Sequence, residues 1–319
     1  MRIAVSGSIA TDHLMTFAGR FSEQLLPDQL SSLSVSFLVD ELDVRRGGVA
    51  ANICFGLGTL GLSPVMVGAV GSDFGEYREW LERHGVDTSG VTVSANRHTA
   101  RFVCTTDADQ NQIASFYPGA MSEAVDIDLA DLGRLDLVLI SPNAPEAMVA
   151  HAAYCRDHGV AFAADPSQQL ASLEREAIVS LLDGAQILFN NAYEAALLES
   201  KTGMSAEAVL AAVGTRVTTH GADGAVIQQT GEADIRVPVV PADKIVDPTG
   251  VGDAFRAGFL AARSWGLGLE RAAQLGSLLA TYCLESLGPQ EYALDAAAGR
   301  DRLAAAYGAD AAAEIAAHL

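Results

Sequence analysis

Short apolar runs of strand length recur along the chain, separated by stretches with helical spacing. Ile3-Ala4-Val5, Val65-Met66-Val67, Leu137-Val138-Leu139-Ile140, Phe162-Ala163-Ala164 and Ile187-Leu188-Phe189 are unbroken by polar residues, as strands buried on both faces are. Arg216-Val217-Thr218-Thr219 predicts a further strand. Helices are predicted from Asp73 through Trp80 to a glycine stop at Gly85, and over Pro145 to His158. Two more are predicted near the C-terminus, Leu269 to Glu285 and Leu294 to Ala316. This βαβ rhythm predicts an α/β fold with a mostly parallel sheet. Two blocks interrupt it. Residues 34–45 alternate apolar and polar, as a strand with one wet face does, and Thr99 to Tyr117 reads as a hairpin turning around Asp107 to Gln110.

The chemistry concentrates in Asp247-Pro248-Thr249-Gly250-Val251-Gly252-Asp253. A strand-like Lys244-Ile245-Val246 precedes it, and Phe255 and Phe259 follow at helical spacing. Glycines at a helix start make an anion-binding device. The backbone comes close to a ligand, and the free N–H groups of the first turn face it with the helix dipole behind them. A carboxylate beside an anion is repulsive unless it works as a base. Asp253 then takes a proton from a hydroxyl that attacks a phosphate, while the amides of Gly250, Val251 and Gly252 stabilise charge on the transferring phosphoryl group.

Other polar clusters sit where strands end. Asp12 follows Gly7-Ser8 at the carboxyl end of a strand, where open α/β sheets bind ligands; taken alone it reads better as a turn residue capping local N–H groups. Gly47-Gly48-Val49-Ala50-Ala51-Asn52 opens a helix, and Asn52 can donate to and accept from vicinal hydroxyls, though alone the run reads as a Gly-rich turn with a surface Asn. Asp165-Pro166-Ser167-Gln168-Gln169 ends another strand with two adjacent amides, which suit a purine edge better than a bare sugar. Asn191 and Glu194 read equally as a capping box or as phosphate-site residues, and Thr219 to Gly224 as a glycine hairpin turn. Gly56-Leu57-Gly58-Thr59-Leu60-Gly61 matches G-x-G-x-x-G but closes a helix instead of opening one, so it is rejected as a dinucleotide fingerprint. His151, Cys155 and His158 share a helix face, which reads as plain amphipathic packing.

The Asp247 to Asp253 stretch resembles the second signature of the ribokinase-like (PfkB) sugar and nucleoside kinases, and Gly47 to Asn52 resembles the first. The resemblance runs the length of the chain. Asp165-Pro166-Ser167-Gln168-Gln169-Leu170, with Phe102 and Phe116, looks most like the adenosine kinases of actinobacteria. It implies a ribokinase-like three-layer α/β sandwich with a mostly parallel sheet, built from 1–11, 47–97 and 118–319. A small β-sheet lid from 12–46 and 98–117 would cover the substrate and pair two subunits as a homodimer. It implies transfer of the γ-phosphoryl of ATP to the 5′-hydroxyl of adenosine. Ser8, Asp12, Gly48 and Asn52 would hold the ribose, and Phe102, Phe116, Gln168 and Gln169 the base. Asn191, Glu194, Thr219, Gly221 and Gly224 would serve ATP, with Mg²⁺ supported through water by Glu194 and a K⁺-like cation within reach of Asp247 and Thr249. Another activity of the family, on ribose, fructose or a different nucleoside, and a non-catalytic nucleoside-binding regulator stay open. For each Phe, simple lid packing is an equal reading.

Composition narrows the partners. The 319 residues carry a net charge of −20, with a pI near 4.5, so nucleic acid and anionic membranes are poor partners for the surface as a whole. Lysine occurs only at Lys201 and Lys244, neither in a Walker motif, so any phosphate is held by amides, a helix end and a metal ion. Cys54, Cys104, Cys155 and Cys283 form no C-x-x-C pair, which fits a reducing compartment. No apolar run approaches the ~18 residues of a membrane span. The expected location is the cytoplasm.

Overall fold

A computed structural model describes residues 1–25, 32 and 34–319. Among the described residues, thirteen strands form two sheets: β1 (Ile3–Ser6), β2 (Ala10–Thr16), β3 (Glu41–Gly47), β4 (Val65–Val70), β5 (Asp87–Val93), β6 (Ala100–Thr106), β7 (Gln112–Tyr117), β8 (Leu137–Ile140), β9 (Phe162–Ala164), β10 (Ile187–Asn191), β11 (Thr215–Thr219), β12 (Ala225–Gln229) and β13 (Ile235–Val237). The large sheet has nine, in the order β13-β12-β11-β10-β9-β8-β1-β4-β5. Every pairing from β11 to β5 is parallel, and β12 and β13 add an antiparallel edge. The unbroken apolar runs are buried, save the half-buried Ile187, because helices cover both faces. Val5, Met66 and Leu139 point into one core with Phe55 and Phe259, from the helices Val49–Thr59 and Val251–Ser264. Ala4, Val65 and Val138 point the other way, onto Met148 and Ile178 from the helices Pro145–His158 and Arg175–Leu182. The result is the three-layer ribokinase-like α/β sandwich that the sequence implied.

The small sheet runs β3-β2-β6-β7, with only β2 and β6 parallel. Its registers put Arg45, Asp12, Phe102 and Phe116 directly opposite one another in one row. Paired residues share a sheet face, and Arg45 touches Asp247 of the large unit, so this row faces the cleft. The first lid segment, 12–46, includes 26–31 and 33, which lie outside the described residues.

Four local expectations need correction. Residues 34–39 are not strand: β2 ends at Thr16, which pairs with Glu41, so nothing remains for 34–39 to pair with. Phe37 instead packs on Phe17 and Phe21, with ring centroids 5.1 and 4.9 Å away. Ala10–Thr16, with no clean alternation, is the strand that joins the lid together, so Asp12 sits within a strand instead of after one. Lys244-Ile245-Val246 is a loop whose next amides, Val246 and Asp247, both donate to Leu284 O. The last predicted helix is two, Ala296–Tyr307 and Ala309–Ala316, divided at Gly308. No helix among the described residues is long and apolar enough to cross a membrane.

Candidate active site

The cleft lies at the carboxyl ends of the parallel strands, under the lid row. Gly250 caps the helix Val251–Ser264 with φ 76°, and a Cβ there would lie 2.3 Å from Pro289 Cβ. Only glycine fits, and the turn it makes leaves the first amides of the helix facing the cleft. Val251 N makes only a long 3.4 Å turn bond to Pro248 O. Asp253 follows in the first turn. Across 201 residues of chain, Asn52 Nδ2 donates to its Oδ2 at 2.8 Å. Asn52 stands in the first turns of the helix Val49–Thr59, capped by Gly48 at φ 93°, where a Cβ would meet Ser8 O and Ala10 N at 2.6 Å. Ser8 Oγ accepts from Val49 N at 3.0 Å, so it serves the turn itself.

Burial pushes the Asp253 carboxyl up to about 7, against the Asn52 hydrogen bond and Arg256, which favour the ionised form, while Asp165 and Glu194 add to the rise. Burial also pushes Asp12 up, partly offset by Arg45. Asp247 behaves otherwise. Its burial is outweighed by hydrogen bonds from Thr249 N at 2.9 Å and Gly288 N at 3.1 Å and by Arg45 at 2.9 Å, which hold it below the usual carboxylate range.

The remaining predicted residues fall at the same end of the sheet. Gln168 and Gln169 lie on the short turn Ser167–Ala171 after β9. Gln168 is exposed, held only by Ser167 Oγ at 3.0 Å. Gln169 is occupied at both ends: its Nε2 donates to Asn143 O and its Oε1 accepts from Ser172 Oγ, both at 2.6 Å. Asn191 and Glu194 form a full capping box at the end of β10. Glu194 Oε2 accepts from Asn191 N at 2.8 Å, and its Oε1 lies 3.2 Å from Ser167 Oγ, whose single proton it shares with Gln168 Oε1. Thr219, Gly221 and Gly224 shape the turn between β11 and β12. Phe116 is 52% exposed at the lid edge, while Phe102 is half-buried beside it. Of the helix stripe, His151 is buried and spent on Ser6 Oγ and Ile127 O, and no metal-holding His/Cys/Asp/Glu group occurs among the described residues.

Sequence reasoning missed four residues that build the site. Arg256 pairs with the fully buried Asp165, and Arg45 bridges the lid to Asp247. Tyr77 and Gln290 stand behind Asn52. Arg256 had one readable signal, its place one helical turn after Asp253; the others depend on contacts between distant segments.

Comparison with known proteins agrees with this architecture. The model of the pfkB family of carbohydrate kinases matches residues 8–296. The nucleoside kinase of Methanocaldococcus jannaschii is 29% identical over 295 residues, 91% of this chain and 92% of that one. The Burkholderia thailandensis nucleoside kinase in complex with inosine superposes with a TM-score of 0.84 at 33% identity, covering 96% of this chain and 98% of that one. Its complex with ADP-inosine gives 0.82 at 34%, covering 96% of each. The chain belongs to the pfkB family of carbohydrate kinases, phosphotransferases with an alcohol group as acceptor.

Proposed function

We propose that this protein is a nucleoside kinase acting on adenosine, transferring the γ-phosphoryl of ATP to the 5′-hydroxyl to give AMP and ADP. Asp253 removes the hydroxyl proton as the oxygen attacks phosphorus, and the bond to ADP breaks with its electron pair leaving on ADP. The observation that carries this reading is the Asp253–Asn52 contact. It joins the glycine amide cradle to the opposite wall of the cleft, on a carboxyl pushed up to about 7, where a base is most effective at neutral pH. The amides of Gly250, Val251 and Gly252 face the charge that develops on the phosphoryl oxygens.

Asp12, Gly48 and Asn52 hold the ribose, with Ser8 fixing the Gly48 turn. Phe102 and Phe116, side by side in the lid row, flank the base, and Gln168 supplies the free amide that reads its edge. Gln169 acts by bracing that loop against Asn143. Asn191, Thr219, Gly221 and Gly224 border ATP. Glu194, with both oxygens engaged, fits a water-mediated partner of Mg²⁺ and not a direct ligand; the ion supplies neutralisation of the triphosphate. A K⁺-like cation at Asp247 and Thr249 would compete with Arg45 for a carboxylate that also accepts from two amides. A homodimer through the lid is part of this proposal, supported by Leu42, Val44 and Ile113, exposed on the sheet face opposite the Phe102 row. The cytoplasm is the proposed location, supported by four buried free thiols.

A kinase of broader nucleoside range is the second reading, favoured by the exposure of Gln168 and Phe116 on the base side. Initial rates with Mg-ATP on adenosine, inosine, guanosine, cytidine, ribose and fructose separate the readings. Preference for adenosine supports the proposal, equal rates on several nucleosides support the second reading, and preference for ribose or fructose overturns both.

A further inference from the structure

We propose that Gln290 is a positioning residue, whose side-chain amide locks Asn52 in the orientation that donates to Asp253. The inference rests on Asp253 being the base. Gln290 is 1% exposed and sits behind Asn52, out of reach of any substrate. Its Nε2 donates to Asn52 Oδ1 at 2.9 Å and to Tyr77 OH at 2.5 Å. Tyr77 OH donates in turn to Gly47 O at 2.8 Å.

The polarity of this chain is fixed at one end. A backbone carbonyl can only accept, so the single Tyr77 proton is spent on Gly47. The Tyr77 oxygen must then accept, which turns the NH₂ of Gln290 toward it. The second proton of that NH₂ goes to Asn52 Oδ1. Asn52 is left with its own NH₂ facing Asp253. Were Asn52 reversed, its Oδ1 would oppose a carboxylate and its NH₂ would oppose another NH₂. Four separate segments contribute: the end of β3, the helices Gly75–Arg83 and Val49–Thr59, and the loop after Leu269–Leu284. Gln290 Oε1 is buried without a partner.

The test is the pH profile of kcat for Gln290→Met, which keeps side-chain length and removes the amide. The other groups facing Asp253, namely Arg256, Asp165, Glu194, Cys283 and Tyr292, are untouched by it. We expect cooperative melting and an unchanged KM for ATP, a kcat lower by about 10- to 100-fold, and an acid limb moved to higher pH, because a freely rotating Asn52 no longer favours ionised Asp253. Gln290→Glu, which when ionised can only accept, should lower kcat further. In an Asn52→Ala background, Gln290→Met should change nothing more. A wild-type kcat and profile in Gln290→Met, or losses that add in the Asn52→Ala background, overturn the inference. If Gln290→Met fails to fold, Tyr77→Phe decides: it frees the polarity of Gln290, and an unmoved acid limb overturns the inference. Asp253→Asn separates the two layers. Normal turnover there removes the base assignment itself, whereas an inactive Asp253→Asn beside a normal Gln290→Met removes only the role of Gln290.

Discussion

Arg256 closes a two-point ion pair with Asp165, each of the two N···O contacts 2.6 Å long. Arg256 rides one helical turn past Asp253, and Asp165 directly follows β9 just before the Gln168 turn, so the pair ties the proposed base to the proposed nucleoside loop. Both partners are buried, Asp165 completely. Replacing one partner strands a charge out of water. Arg256→Leu is therefore expected to destabilise the fold by about 3–5 kcal/mol, measured by urea unfolding. Adding Asp165→Leu should recover most of that loss, because the stranded carboxylate, and not the missing attraction, is its main source.

Asp253→Asn keeps the shape of the side chain and its place beside Asn52 but cannot take a proton. It is expected to fold, bind nucleoside and lose at least about 10³-fold in kcat. In the wild type, kcat/KM should fall about tenfold per unit below pH 7 as the base protonates, since its carboxyl is pushed up to about 7. Steady-state rates from pH 5 to 9 check both statements.

The same carboxyl links stability to pH. Its value is raised from 3.8 to about 7 by burial, so the folded state holds the proton more tightly than the unfolded chain. Its contribution to stability is present below the unfolded value and lost as pH rises through the folded one. Asp253→Asn is neutral throughout and escapes the loss. It should melt higher than wild type at pH 8, with the difference closing toward pH 4. Thermal melts of both proteins across that range decide it.

Much of this was legible in the sequence, for a physical reason. Strands buried on both faces must be unbroken apolar runs, so the central sheet shows in Leu137 to Ile140 or Phe162 to Ala164 without any partner in view. The helix start at Gly250, with Asp253 in its first turn, was readable because a glycine-capped turn into a helix is written in local sequence. The lid was read poorly. Its strands are half wet, and Ala10–Thr16 gains its conformation from pairing with β3 and β6, which propensity does not record. Arg45, Tyr77 and Gln290 were invisible because each works through hydrogen bonds between distant segments, and no spacing rule links Gln290 to Asn52 across 238 positions.

Gly250 and Gly252 look alike in the motif but differ in space. Gly250→Ala forces a side chain into φ 76° and to 2.3 Å from Pro289 Cβ. The conformation alone costs about 1–2 kcal/mol, and the clash displaces the amide cradle, so both stability and kcat should fall. At Gly252 an added Cβ meets only Arg256 Nη1, at 3.0 Å, a contact that a shift of a few tenths of an ångström in the guanidinium held by Asp165 relieves. Gly252→Ala should keep most of its stability, and any loss should appear in KM for ATP, where the methyl narrows the cradle. Melting curves paired with ATP titrations distinguish the two.

The two adjacent glutamines should also part company. Gln168 is exposed with only a neighbouring hydroxyl to hold it, whereas Gln169 is braced at both ends by Asn143 O and Ser172 Oγ. An amide that reads a base edge contributes to discrimination between bases, and one that braces a loop contributes to all substrates alike. Gln168→Ala is therefore expected to change the ratio of kcat/KM for adenosine over inosine by about tenfold, a single hydrogen bond's worth, with the melting temperature unmoved. Gln169→Ala should leave that ratio near its wild-type value, lower kcat/KM for both nucleosides together and melt earlier, since Asn143 O loses its donor. Should Gln169→Ala shift the ratio and Gln168→Ala leave it alone, the base is read by the braced amide, and the bracing bonds to Asn143 and Ser172 must break when nucleoside binds.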